Sequence, residues 1–266
     1  MSATLDRPAA LAPTLAPTPA PVRPGEESLR ETLARLGGAQ KGALGAPAYS
    51  RFVNRRMGRF LAALAFHAGL TPNAVTGISA AFSAVGIALL ALVAPSWPMG
   101  VGVAACLVVG YALDSADGQL ARLRGGGSPA GEWLDHFVDA VKTSSLHLAL
   151  LIGLYRFQPV ERGPLLLVPV GFCLVAAVLF FATMLNEALR AQHGAATRAQ
   201  YSGARPSVLR SLVVVPTDYG LLCWTFVLLG APAVFLSVYA FLFVVMAAYL
   251  ALAAVTWFNE MGRLRR

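Results

Sequence analysis

Charge is what this chain most lacks. Only 13% of its 266 residues are Asp, Glu, Lys or Arg, about half the share of a soluble domain, while 57% are hydrophobic. Lysine is nearly missing: Lys41 and Lys142 stand against 19 arginines. Cysteine is limited to Cys106, Cys173 and Cys223, each inside an apolar block. None forms a C-x-x-C pair, so neither a zinc site nor a disulfide framework is indicated, and all three read as small packing residues. Nor does the chain open with a basic stretch followed by an apolar one, as a secretory signal does. Residues 1–24 hold six prolines and many alanines instead, the composition of a disordered, polyproline-prone tail.

What the chain has in abundance is long uncharged apolar blocks. Runs of roughly 18 or more such residues read as membrane helices. Six follow one another at about 73–93, 97–121, 132–155, 164–189, 212–229 and 233–257. The expected fold is therefore an all-α integral membrane protein with six transmembrane helices. The pattern predicts four regions. Residues 1–48 form the tail, with a short helix at 29–36 opened by the capping box Ser28-Leu-Arg-Glu31. Residues 49–70 form a basic amphipathic helix at the membrane surface, with Arg51, Arg55, Arg56 and Arg59 set among Phe52, Val53, Phe60, Leu61 and Leu64. Residues 71–258 form the six-helix domain, and 259–266 a basic C-terminal tail.

The net charge of +8 admits nucleic acid, a membrane surface or an anionic substrate as partner. Its placement favours the last two, because the arginines gather at the ends of apolar blocks. Arg51 to Arg59, Arg122, Arg124, Arg190, Arg198, Arg205, Arg210, Arg263, Arg265 and Arg266 all fall on one side of the expected topology. The positive-inside rule then predicts that both termini are cytoplasmic.

Against this background four acids stand out. Asp114 and Asp117 are spaced i,i+3 near the end of the second span, Asp135 and Asp139 i,i+4 near the start of the third. Each pair shares a helix face. The tight link Gly125-Gly126-Gly127-Ser128-Pro129 sets the two helices antiparallel, so the pairs face each other at similar depth. Four carboxylates in a low dielectric repel one another, and acids within spans are by default functional. Oxygen-liganded divalent cations resolve the conflict, Mg²⁺ being usual where phosphates are bound. Arg122, Arg124 and Lys142 offset only part of the charge. Gly118, Ala121 and Gly131 beside the acids allow close approach of a helix or a ligand. Arg122 suits bidentate phosphate binding, and Ser128 offers a hydroxyl donor. Lys142 is three residues from Asp139, in reach to pair with it.

Read together, Asp114-x2-Asp117-Gly118-x2-Ala121-Arg122-x8-Gly131-x3-Asp135-x3-Asp139 resembles the signature of the CDP-alcohol phosphatidyltransferase family, of bacterial class I type. Thr71-Pro72-Asn73-Ala74, heading the first span, extends the likeness. The resemblance implies a six-helix fold, often dimeric, with its active site open to the cytoplasmic face. It implies metal ligation by Asp114, Asp117 and Asp135, with Asp139 as ligand or proton acceptor, and Mg²⁺ or Mn²⁺ as the ion. Thr71, Pro72, Asn73, Ala74, Gly118, Ala121, Arg122, Ser128 and Gly131 would line the CDP site. Asp139 is the expected base, because it lies on Asp135's stripe one turn further into the membrane and can take a proton from an attacking hydroxyl.

The expected reaction is transfer of a phosphatidyl group from CDP-diacylglycerol to the hydroxyl of a small polar alcohol, free or phosphorylated, with release of CMP. Transfer of a small phosphoalcohol from a CDP-alcohol to diacylglycerol or another alcohol is the alternative within the family. An ion-coupled transporter is a third reading, disfavoured by the absence of paired broken spans and internal repeats. Arg190, Arg205 and Arg210, with Lys142, are candidate acceptor-phosphate contacts, although Glu187 puts an acid where a base would be expected. The plasma membrane is the expected location, membrane lipid the surroundings, and a homodimer the expected assembly.

Overall fold

The computed structural model describes residues 27–38, 47–157, 160–195, 211 and 214–264, and no strand occurs among them. Arg198, Arg205, Arg210, Arg265, Arg266 and the proline-rich tail lie outside the described residues. Helix α1 spans Leu29–Gly38, α2 Arg55–His67, α3 Pro72–Leu92, α4 Trp97–Leu123, α5 Pro129–Phe157, α6 Leu167–Gln192, α7 Tyr219–Thr225 and α8 Pro232–Met261. A π-helical turn, Ser50–Asn54, runs directly into α2.

Local chemistry explains where these helices start. Ser28 and Glu31 form a reciprocal box at the head of α1: the Ser28 backbone N–H donates to the Glu31 carboxylate at 2.7 Å and the Ser28 hydroxyl at 2.8 Å. Those bonds hold the Glu31 carboxyl below its ordinary pKa. Thr71 caps α3 by accepting from the Ala74 N–H at 3.1 Å, with Pro72 in the first turn. Ser96 caps α4 in the same way through the Met99 N–H, ahead of Pro98. Gly125 and Gly126 reverse the chain after α4 with φ of 95° and 131°, a region costly for any residue with a Cβ.

Five helices are long and apolar enough to cross a membrane: Pro72–Leu92, Trp97–Leu123, Pro129–Phe157, Gly163–Gln192 and Pro232–Met261. Their outward faces are apolar, as for Leu167, Leu174 and Phe181 on α6, and Phe241, Val244 and Leu252 on α8. A bilayer solvates such surfaces and water does not. The region expected as a span at 212–229 differs. Its described part is α7 followed by a tighter 3₁₀ turn, Phe226–Gly230. Twelve residues at helical rise reach only about 18 Å, short of a hydrocarbon core of roughly 30 Å. The cause is local: Asp218 caps α7 by accepting from the Gly220 N–H, just after the turn Val215–Thr217.

Contacts between helices define two ends of the bundle. At one, Arg124 donates to the Leu70 carbonyl at 2.7 Å and Thr76 meets Asp117, joining the start of α3 to the end of α4. Arg190 pairs with Glu260 at 2.7 Å, joining the ends of α6 and α8. At the other, Arg156 donates to the Ala91 carbonyl at 3.1 Å, and Trp97 packs on Gly230. The main core runs between them, with Leu107, Leu146, Phe172, Phe226, Phe235 and Tyr239 at its centre.

Small residues carry the closest crossings, as expected where lipid supplies no hydrophobic drive for helix association. Ser79 donates to the Gly110 carbonyl at 2.8 Å, locking α3 to α4. A Cβ on Gly153 would clash with the Leu90 backbone carbonyl, which cannot swing aside. Gly153→Ala is therefore expected to spread α3 from α5 and destabilise the protein by about 1–3 kcal/mol. A thermal melt of the detergent-solubilised variant measures this. An unchanged melting temperature would show that the crossing relaxes freely.

Candidate active site

The paired spacing of the four aspartates sets them on facing stripes of α4 and α5. Asp117 is only 5% exposed, and its carboxylate accepts from the Thr76 hydroxyl at 2.5 Å and from the Gly118 N–H at 2.5 Å. Thr76 is thus a positioning residue delivered by α3. It lies 41 positions from its partner, and the only signal in sequence was a hydroxyl inside an apolar span. Asp114 is met from the opposite helix: the Lys142 ammonium stands 2.5 Å from one of its oxygens and 2.6 Å from Asp139. Asp135, His136 and Asp139 each offer a donor atom within 4.8 Å of one another. Asp117 stays within electrostatic reach of both Asp114 and Asp135, so the two stripes form one acidic site.

The loop between the stripes gathers the remaining motif residues. Ser128 caps α5, accepting from the Gly131 N–H at 3.1 Å. A Cβ on Gly131 would lie 3.0 Å from the Asn73 side-chain oxygen and 3.2 Å from the Ser128 hydroxyl. Missing that Cβ, residue 131 lets the start of α3 and the start of α5 close together around Asn73 and Ser128. The Arg122 guanidinium reaches back beside Gly118, 3.6 Å from where a Cβ would stand, within electrostatic reach of Asp117 and Arg55. Ala121 faces Gly127 across the turn. Thr71 and Ser128 both serve as helix caps, each hydroxyl oxygen accepting one backbone N–H. Burial lowers the pKa of Arg55, with Arg51 adding to that effect.

Other expected contacts lie differently. Arg190 is 5% exposed and held by two acids, Glu187 at 2.5 Å and Glu260 at 2.7 Å, which makes it a tie between α6 and α8. Arg205 and Arg210 fall outside the described residues. Sequence reasoning paired Lys142 with Asp139, and the structure adds Asp114, 28 positions back on the neighbouring helix. Sequence also passed over Tyr111 and Tyr219, whose rings meet edge to face at 5.1 Å, with Tyr219 within electrostatic reach of Asp114 and Asp139. Nothing in the sequence distinguishes those tyrosines from ordinary interfacial aromatics.

An all-helical membrane protein that sets four carboxylates, an arginine and a Gly-rich turn at one end of its bundle has the parts for phosphate chemistry at an oxygen-donor site. The match to a family model settles which kind. Residues 69–259 fit the model for CDP-alcohol phosphatidyltransferase, and the chain belongs to that family. It is accordingly an enzyme, a transferase for substituted phosphate groups. Comparison with curated proteins found no match.

The donor set suits the divalent ion on which the family generally depends. All four carboxylates are hard oxygen donors, and Lys142 alone balances two of them. That chemistry fits Mg²⁺ or Mn²⁺ and would not favour a soft thiophilic metal.

Proposed function

We propose that the enzyme transfers the phosphatidyl group of CDP-diacylglycerol to the hydroxyl of a small polar alcohol, free or phosphorylated, and releases CMP. The observation that carries the reading is the junction of the two aspartate stripes with Asn73, Ser128, Gly131 and Arg122 around one loop. Thr71 to Ala74, Gly118, Ala121, Arg122, Ser128 and Gly131 form the CDP site in this account. Arg122 donates to the donor's phosphate oxygens, and the small residues let its backbone-facing side approach closely. Asp114, Asp117, Asp135 and Asp139 would hold Mg²⁺ or Mn²⁺, which would supply charge neutralisation at the pyrophosphate.

Asp139 accepts the proton of the acceptor's hydroxyl. The acceptor oxygen forms a bond to the phosphatidyl phosphorus, the pyrophosphate P–O bond breaks, and its electron pair leaves on CMP. Thr76 holds Asp117 in orientation throughout, while Lys142 steadies Asp114 and Asp139 against repulsion. Lys142, Arg205 and Arg210 are retained as acceptor-phosphate contacts, and Arg190 acts by holding α6 to α8.

The same reading keeps six crossings, the short α7 being extended on either side by the turns Val215–Thr217 and Phe226–Gly230, with both termini cytoplasmic and the reaction at the cytoplasmic face of the plasma membrane. It is supported by the arginines at one end of the bundle. Helix α2 with the π-helical turn before it is the surface element: Val53, Met57, Phe60 and Leu64 form an exposed apolar stripe, while Ala62, Ala63 and Phe66 are buried on its inner face. The protein works as a homodimer in this account, by likeness to its family.

The test is CMP release from CDP-diacylglycerol with a panel of polar alcohols, the lipid product being identified by mass. Chelation with EDTA is expected to reduce the rate to background, and Mg²⁺ or Mn²⁺ to restore it. Undiminished release in EDTA would remove the metal from the account. Absence of release with every acceptor would remove CDP-diacylglycerol as donor.

A further inference from the structure

A cavity of about 250 Å³ opens between α5, α6, α7 and α8, just below the lower end of the roughly 300–1,000 Å³ usual for ligand pockets. Its walls are mainly apolar, with Leu146, Phe172, Ala176 and Leu179 among them. One side reaches the acidic site. Thr143, the residue after Lys142, lines it, and so does Tyr219. The Tyr219 hydroxyl is buried and has no hydrogen-bond partner. The Cys223 thiol nearby is a weak partner at best and does not replace one. A buried unpaired phenol costs free energy, so its place between an apolar cavity and the carboxylates of Asp114 and Asp139 calls for a ligand oxygen.

We propose that Tyr219 is a substrate-contacting residue, donating its phenolic hydrogen to a phosphate or ester oxygen of the lipid substrate while an acyl chain of that lipid occupies the cavity. This rests on the proposed function only in requiring that one of the two substrates carries diacylglycerol. An acyl chain matches the apolar walls, and the lipid's polar linkage is the part that must lie near the reacting phosphate. Tyr219, which lines the cavity, lies within electrostatic reach of Asp114 and Asp139 and so joins the cavity to the acidic site. The lipid enters either as donor or as acceptor, and the chemistry at Tyr219 is the same.

Tyr219→Phe keeps the ring against Tyr111 and removes only the hydroxyl. With the full-length enzyme in detergent micelles, two arms are run. One varies CDP-diacylglycerol against a polar alcohol, and the other varies diacylglycerol against a CDP-alcohol. In whichever arm the wild type turns over, the variant is expected to show about a tenfold higher KM for the lipid, in line with loss of one hydrogen bond to a charged group. The KM of the water-soluble partner stays unchanged, and the lipid-free melting temperature is equal or higher, because an unpaired buried hydroxyl has gone. Ala176→Phe, which fills the cavity, is expected to shift preference toward shorter acyl chains. A wild-type lipid KM in Tyr219→Phe, or an unchanged chain preference in Ala176→Phe, overturns the assignment. Should the wild type release no CMP in either arm, the proposed function fails separately. The cavity is then decided by thermal shift with CDP-diacylglycerol or diacylglycerol micelles: stabilisation of wild type but not of Tyr219→Phe supports it, and equal shifts or none overturn it.

Discussion

Asp139→Asn is expected to lower the rate of CMP release by about three orders of magnitude while leaving the protein folded. The size follows from the 10²–10⁴ range for removing a general base. Asparagine is nearly isosteric, so packing around α5 is kept, but its amide cannot take the hydroxyl proton. Asp139 is also a candidate ligand, and part of the loss is weakened metal binding. The two contributions separate with metal concentration: a loss that saturating Mn²⁺ repairs is a ligand effect, and one that persists is the missing base. Single-turnover release of CMP measured across a metal titration gives both. Activity within tenfold of wild type at saturating metal would falsify the role of Asp139 as base.

Lys142→Met is expected to destabilise the metal-free protein by roughly 3 kcal/mol, the low end of the range for stripping one partner from a buried ion pair. The ammonium touches Asp114 and Asp139 at once, and its side chain is only 10% exposed. Methionine keeps the aliphatic stem but leaves two neighbouring carboxylates without their shared cation. Mg²⁺ should therefore raise the melting temperature of Lys142→Met by more than it raises that of wild type. This readout needs no turnover. Equal metal-induced shifts in the two proteins would mean that Lys142 and the ion do not answer the same charge. A structural role for Lys142 without electrostatic linkage would give the lower melting temperature and no such difference.

Much of the candidate site's geometry was legible because helix periodicity converts spacing into geometry. An i,i+3 pair at Asp114 and Asp117, an i,i+4 pair at Asp135 and Asp139, and a Gly-rich link too short for anything but reversal leave little freedom in how four carboxylates meet. Their rarity inside apolar spans marked them as functional, because an unneeded acid there is costly. The family motif, and with it the class of reaction, follows from the same residues and is supported by the match over 69–259.

Contacts between distant segments were not legible. Nothing local tells that Thr76 on α3 will hold Asp117, that Lys142 will reach across to Asp114, or that Arg190, already three residues from Glu187, will also bind Glu260. Long side chains on neighbouring helices choose partners by the rotation and depth at which the helices pack, and small residues such as Gly110 and Gly153 set that packing. The region expected as a fifth span shows the same limit. Its apolar content is real, but Asp218 starts the helix late and a 3₁₀ turn ends it, so hydropathy overstated its regularity.

The sequence by itself therefore determined the solvent, the helical class, the acidic motif and the class of reaction, because each depends on composition or on spacing within one or two adjacent helices. Tertiary structure alone decided which groups serve the aspartates, where an apolar cavity meets them, and that the Tyr219 hydroxyl is left without a partner between the two. Those depend on how helices far apart in the chain cross, and crossing is set by packing in three dimensions.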